Sequence, residues 1–300
     1  MNKILPEQYF EVVGAEAVRG ESCRPAASLR RIRRPVVSAV ILACIVLGCV
    51  FCRLIMTHDP AYMDLLHYDT APDRTFLFGT DSLGRDVFSM IWYGGRSSLI
   101  IGFLATLIST AIAVLYGTVS GILGGWADDV MMRFSEILMS IPSILLIIFT
   151  QAVIGRQSVT AIAVVIGVTG WMSVAKMIRT EVRRVRASEY VKLSRSMGGG
   201  FFHILRWHLA PNYVSSIMFM VVMNIRGAIV AESTLSFLGI GLPVETVSWG
   251  SMLSLSQKAL LTHSWWVILI PGVFLVVTLM CITNIGNYIR QSLNHGESNL

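Results

Sequence analysis

Residues 98–120 read SLIIGFLATLISTAIAVLYGTVS, without one charged side chain. A helix crosses the ~30 Å hydrocarbon of a bilayer in about 20 mostly apolar residues. This stretch alone therefore predicts a transmembrane helix. The composition agrees: 54% of the 300 residues are hydrophobic and only 14% charged, with a mean hydropathy of +0.66. A soluble domain carries about 25% charged residues. A soluble chain of this length would need an outsized core to hide so much apolar surface.

Five further runs have the same character. They are Val36 to Met56, about Ile137 to Ile154, Ser158 to Ile178, about Tyr213 to Ala231, and about Trp265 to Ile285. The expectation is an all-α polytopic membrane protein with six transmembrane helices. Two runs carry interruptions: Pro142 in the third span, and Asn224 and Arg226 in the fifth.

Basic residues predict the orientation, because cytoplasmic loops hold the excess of Lys and Arg. Seven lie in the tail before Val36, and seven between Arg179 and Arg206. With the amino terminus inside, these fall on one side, joined by Arg133 and Arg290. Only Arg53, Arg74, Arg85, Arg96, Arg156 and Lys258 face the other. Both termini are thus expected in the cytoplasm. The net charge of +6 reports topology and anionic lipid. Nucleic acid is not an expected partner, since no basic patch with interleaved aromatics sits on a soluble domain. The first apolar run starts only at residue 36 and is too long for a signal h-region, so it reads as an uncleaved span. Cys49 and Cys52 form a CxxC spacing inside an apolar run, where thiols act as small hydrophobes.

The expected organisation is a cytoplasmic tail (1–35), a first span (36–56), an outer segment (57–97), a five-helix core (98–287) and a cytoplasmic tail (288–300). The tail leaves room for a short amphipathic helix over 7–18. The core contains the inner segment 179–212. Residues 188–212 there read SEYVKLSRSMGGGFFHILRWHLAPN. On a helix, Tyr190, Leu193, Ser194 and Met197 share a face, opposite Glu189 and Lys192. Gly198 to Gly200 end that helix. A second can run from Phe201 to Leu209, with Pro211 ending it or starting the next span. Two short amphipathic helices on a glycine elbow fit either an interfacial lipid anchor or a docking surface for a partner.

This segment resembles the cytoplasmic coupling loop of bacterial ABC-importer permeases. Gly198 and Pro211 fall at that pattern's spacing, although Leu193 and Ser194 stand where it has alanines. The likeness extends along the chain. GTDSLGRDVFSMIWYGGRSSL (79–99) is similar to the signature of peptide and nickel importer permeases, with Met90 in place of an arginine. GGWADDVMMRFSEILMSIP, AESTLSFLGIGL, SWGSML and WWVILIPG resemble further blocks in the family's order. The resemblance implies a type I ABC-importer permease fold and a pathway shared with a homologous second permease. It further implies two cytoplasmic ATPase subunits carrying ATP and Mg, a solute-binding protein outside, and a bacterial plasma-membrane location. Glu189, Tyr190, Leu193, Ser194, Met197, Gly198 and Pro211 become the expected ATPase-coupling residues. Di- or oligopeptide is the expected cargo, with nickel or a metal complex as the alternative.

The chain has no GK[ST] phosphate loop and no catalytic constellation, so no enzyme activity, bound cofactor or metal site is expected of it. Arg226 in the fifth span is costly unless it faces the pathway or pairs with an acid such as Glu232. Asn224 is its candidate neighbour on the pathway. Asp81, Arg85 and Asp86 read as a charge cluster that either shapes the outer segment or meets the binding protein. Trp249, Trp265 and Trp266 read as an interfacial aromatic belt. An ion-gradient transporter would require buried acids within the spans, and Glu136 and Glu232 sit near span ends. A membrane scaffold without transport is the remaining class.

Overall fold

The computed structural model describes residues 34–189, 191, 210–243, 245–259 and 263–297, without side chains at 210–216, 256–259 and 293–297. The expected tail helix over 7–18 and the two short helices over 188–197 and 201–209 lie largely outside these residues. All elements below belong to one unit, Pro35–Leu300. In chain order they are α1 (Val36–Val50), α2 (Cys52–Ile55), a 3₁₀ turn (Leu65–His67), α3 (Val87–Leu123), α4 (Gly125–Ser140) and α5 (Ser143–Ile154). Then come α6 (Val159–Thr169), α7 (Met172–Ala187), α8 (Ala210–Phe237), α9 (Trp249–Ala259) and α10 (Trp265–Glu297). Among the described residues there is no strand, only an isolated bridge between Thr80 and Asp86.

Among the described residues three helices, α3, α10 and the Ile217–Phe237 part of α8, are long and apolar enough to cross a membrane. Two bent pairs, α4–α5 and α6–α7, add two spans if each pair is one crossing, and α1 is a shorter apolar helix. The first expected span is not one helix: it breaks at Phe51 and resumes as the four residues of α2. The third is bent by 92° where α4 meets α5. Pro142 is the cause, because it pushes the preceding residue out of the helical region; Ile141 is extended, with φ −82° and ψ 130°. Residues 121–133, polar enough to read as a short inner turn between spans, are instead the end of α3 and the start of α4. Gly124 reverses the chain between them at φ +64°, a conformation that favours glycine.

Helix α3 is the central element. Its 37 residues rise about 55 Å at 1.5 Å each, and it packs against α6, α7 and α8. Small side chains on its buried faces allow close approach, as helices in lipid require. A Cβ at Gly117 would lie 2.5 Å from the Ala175 carbonyl of α7.

Three apolar clusters follow the length of α3. One, near Val87, joins Ile45, Ile91, Trp249 and Trp266. A middle cluster joins Ile101, Ala105, Ile162 and Leu235. The third, near Leu123, joins Ala113, Ala175, Ile178, Val182 and Val191. The Val87 end is the outer end in the orientation that the basic residues predict, and the Leu123 end the inner. Leu107, Leu115, Phe149, Val153 and Met280 remain exposed. These side chains suit lipid or an apolar partner rather than water.

Candidate functional site

At the inner end, α7 carries Arg179, Arg183 and Arg186 along one face. Asp128, in the first turn of α4 and 1% exposed, receives that face. Its carboxylate accepts from both Nε and Nη2 of Arg179 and from the Ser120 hydroxyl of α3, while Arg183 Nη1 lies 3.4 Å away. Arg186 donates to the Ile122 carbonyl near the end of α3. An arginine fork on a carboxylate fixes orientation as well as distance. Sequence reasoning missed Asp128. The signal was available: a helical stripe of guanidiniums at 179, 183 and 186 needs a counter-charge.

Directly after α7, Glu189 is helical and exposed, while Val191 is fully buried in the inner cluster. Tyr190, Leu193, Ser194, Met197 and Gly198 lie outside the described residues. Pro211 is the second residue of α8, a first-turn position where its missing N–H costs nothing.

At the outer end, Asp81 and Arg85 form a buried pair, with Arg85 Nε and Nη2 at 2.9 and 2.8 Å from Asp81 Oδ2. Asp81 Oδ1 also accepts the amides of Leu83 and Arg85. Asp86 caps α3, accepting from the amides of Phe88 and Ser89, the Ser89 hydroxyl at 2.6 Å and the Thr57 hydroxyl at 2.8 Å. All three charged residues are at most 2% exposed. Their geometry ties the outer segment to α3. Trp249 and Trp266 do not form an interfacial belt. Both are buried, and their indole N–H groups donate to the carbonyls of Ile91 and Thr80, each at 3.0 Å. Buried indoles take such partners, and of these three tryptophans Trp265 alone is exposed.

The pathway candidates are not brought together. Asn224 donates to the Ser109 hydroxyl of α3, whereas Arg226 is exposed and has no ion pair among the described residues. Two helical residues at this spacing point about 200° apart. Arg226 does not pair with Glu232 either, since six residues turn the helix by about 240°. Glu232 is fully buried and accepts four hydroxyls: Ser98 at 3.0 Å, Ser233 at 3.4 Å, Ser236 at 2.9 Å and Ser248 at 2.7 Å. These serines come from α3, α8 and the entry to α9, so Glu232 joins three elements. Ser98 lies 134 positions away and Ser248 sixteen, which hid the network.

Two hollows flank these helices. An apolar groove of ≈ 710 Å³ runs between α1, α3, α8 and α10, with Arg96 its one charged lining residue. A polar one of ≈ 430 Å³ at the outer end is lined by Arg53, His58, Asp59 and Glu245 among others. Among the described residues no three His, Cys, Asp or Glu side chains converge to hold a metal ion.

Comparison with known proteins accounts for this architecture. Residues 113–295 match the family described as "Binding-protein-dependent transport system inner membrane component". The chain is 32% identical over 299 residues to the oligopeptide transport system permease protein OppC of Bacillus subtilis, covering 97% of each. It is 36% identical over 237 residues to the dipeptide transport system permease protein DppC of the same organism, covering 79% of this chain and 74% of that one. In structure it resembles the MetNI methionine ABC transporter in its inward-facing form, with a TM-score of 0.55 and 18% identity over 68% of this chain and 95% of that one. That likeness bears on the fold alone. This multi-pass, all-helical chain belongs to the family of binding-protein-dependent transport system inner membrane components, the non-catalytic permeases of ABC transporters.

Proposed function

We propose that this chain is one of two homologous permease subunits of an ATP-driven importer of di- or oligopeptides in a bacterial plasma membrane. Both termini are cytoplasmic. Two ATPase subunits, holding ATP and Mg, lie beneath the inner end, and a solute-binding protein delivers cargo at the outer end. Residues 188–212 couple the ATPases to the pathway. Glu189, Tyr190, Leu193, Ser194, Met197 and Gly198 meet the ATPase, and Pro211 returns the chain to α8. Arg226 and Asn224 belong to the pathway lining, on separate faces of α8.

One observation carries this reading: end-to-end similarity to a permease named for oligopeptide transport, over 97% of both chains. The geometry supports the coupling role. Val191 fastens the root of the segment in the inner core while Glu189, two residues earlier, faces outward. A seated root and an exposed acid suit a lever that transmits displacement by rocking of helix bundles.

Cysteine cross-linking in the assembled complex tests it. Tyr190→Cys and Met197→Cys should each capture an ATPase subunit, and Glu189→Lys and Gly198→Pro should lower peptide-stimulated ATP hydrolysis without preventing insertion. Normal coupled activity in both latter variants, with no cross-link in the former, would refute the coupling assignment.

A further inference from the structure

We propose that Asp128 is the joint through which movement of the 188–212 segment reaches the bent α4–α5 pair. This rests on the coupling reading above, and deepens it by naming the positioning residue that links lever to pathway. The argument starts from what fastens α7. Helix α7 delivers the chain directly to Glu189, and Val191 packs with Ile178, Val182 and Val185 of that helix. Any displacement of the segment therefore moves α7.

Asp128 is where α7 holds α4. It is buried, and both nitrogens of the Arg179 fork close on it, with Ser120 adding a third contact from α3. A fork resists rotation about the contact, as a point charge such as lysine does not. Parting a buried pair leaves an uncompensated charge, so the contact resists separation too. Glu136 also ties α4 to α7 through Lys176 at 3.3 Å, but that pair is exposed and hence weak.

Beyond Asp128, α4 runs to the 92° bend at Ile141 and Pro142. Helix α5, past the bend, packs chiefly against α6 and buries only Ile147 and Gln151. The near arm is thus held by a fork that fixes its orientation, and the far arm by apolar contacts with α6. A rotation imposed at Asp128 shows itself at α5.

The test uses the whole complex in lipid, with spin labels on exposed positions Phe149 of α5 and Leu269 of α10. In the parent chain, ATP with vanadate should shift the distance between them. Asp128→Asn and Arg179→Lys should each reduce that shift by at least half, while Met197→Cys still cross-links to the ATPase as in the parent. Arg179→Lys keeps the charge and removes the fork, so it decides the matter if Asp128→Asn fails to assemble. An undiminished shift in Arg179→Lys overturns the proposal, as does a parent chain whose α5 does not move. Loss of the cross-link in the variants also overturns it, because Asp128 would then serve only to place the segment. Absence of the cross-link in the parent instead defeats the coupling reading itself.

Discussion

Replacing Glu232 by leucine should loosen the outer end of the bundle, whereas glutamine should be tolerated. In the leucine variant four buried hydroxyls, on Ser98, Ser233, Ser236 and Ser248, lose their acceptor. Each orphaned polar group costs about 1–3 kcal/mol. Two effects reduce the sum. Serines on helices can turn to the carbonyl four residues back, and the burial cost of the carboxyl disappears with it. A net loss of about 2–4 kcal/mol remains after these offsets. With about 2–4 °C lost per kcal/mol in chains of this order, the melting temperature should fall by roughly 10 °C. Glutamine keeps Oε1 for Ser236 and Ser248, and its amide can donate to Ser98, whose oxygen also accepts from the Trp249 amide at 3.3 Å. Its cost should stay below about 1 kcal/mol. Thermal unfolding of the purified complex, with protease sensitivity around Ser248 as the local readout, distinguishes the two. A leucine variant melting within about 2 °C of the parent would show that the network contributes nothing net.

Gly117→Val should abolish stable assembly, because the Ala175 carbonyl 2.5 Å from the new Cβ is backbone and cannot yield. Gly227→Ala is the control: nothing lies within 4 Å of its Cβ, so stability should be unchanged or raised by up to about 1 kcal/mol of helix propensity. Arg226→Gln should leave folding intact, since no ion pair is lost among the described residues, and lower peptide uptake; unchanged uptake would remove Arg226 from the pathway. Asp64 has its carboxyl held below the ordinary value of 3.8 by the His67 ring and the Leu66 amide. A depressed carboxyl favours the folded turn above its unfolded pKa, and that contribution is lost as pH falls through the lower folded value. Protection of the Leu66 amide, corrected for intrinsic exchange, should therefore fall only on acidification below 3.8; a fall well above that value would contradict the assignment.

The membrane character and most helices were legible because lipid accepts only apolar side chains on hydrogen-bonded backbone. Pro142 likewise announced the bend in the third span. What escaped was tertiary. Helix α4 begins GWADD, which reads as a turn; it is a helix because Asp128 is held by α7 and Tyr116 donates to the Met131 carbonyl at 2.6 Å. Glu232 read as a companion for Arg226 because the two are near in sequence, yet helical geometry sends them to different sides. Trp249 and Trp266 read as interfacial by type, and their burial depends on two carbonyls more than 150 positions away. The glycines and amphipathic spacing of residues 188–212 left an interfacial anchor and a docking surface equally open, and only the resemblance to a family separated them.

The length of α3 has a consequence for anything approaching from solution. The helix begins at Val87, while the transmembrane stretch read from the sequence begins at Ser98. The intervening residues rise about 16 Å at 1.5 Å each, which exceeds the roughly 6 Å of headgroup on each side of the hydrocarbon. An average tilt of about 20° shortens this rise only slightly. With the hydrocarbon beginning at Ser98, the capped start of α3, with Asp81, Arg85 and Asp86 packed around it, would stand proud of the lipid as a shoulder. A soluble visitor at that side meets ordered protein before it meets the bilayer surface.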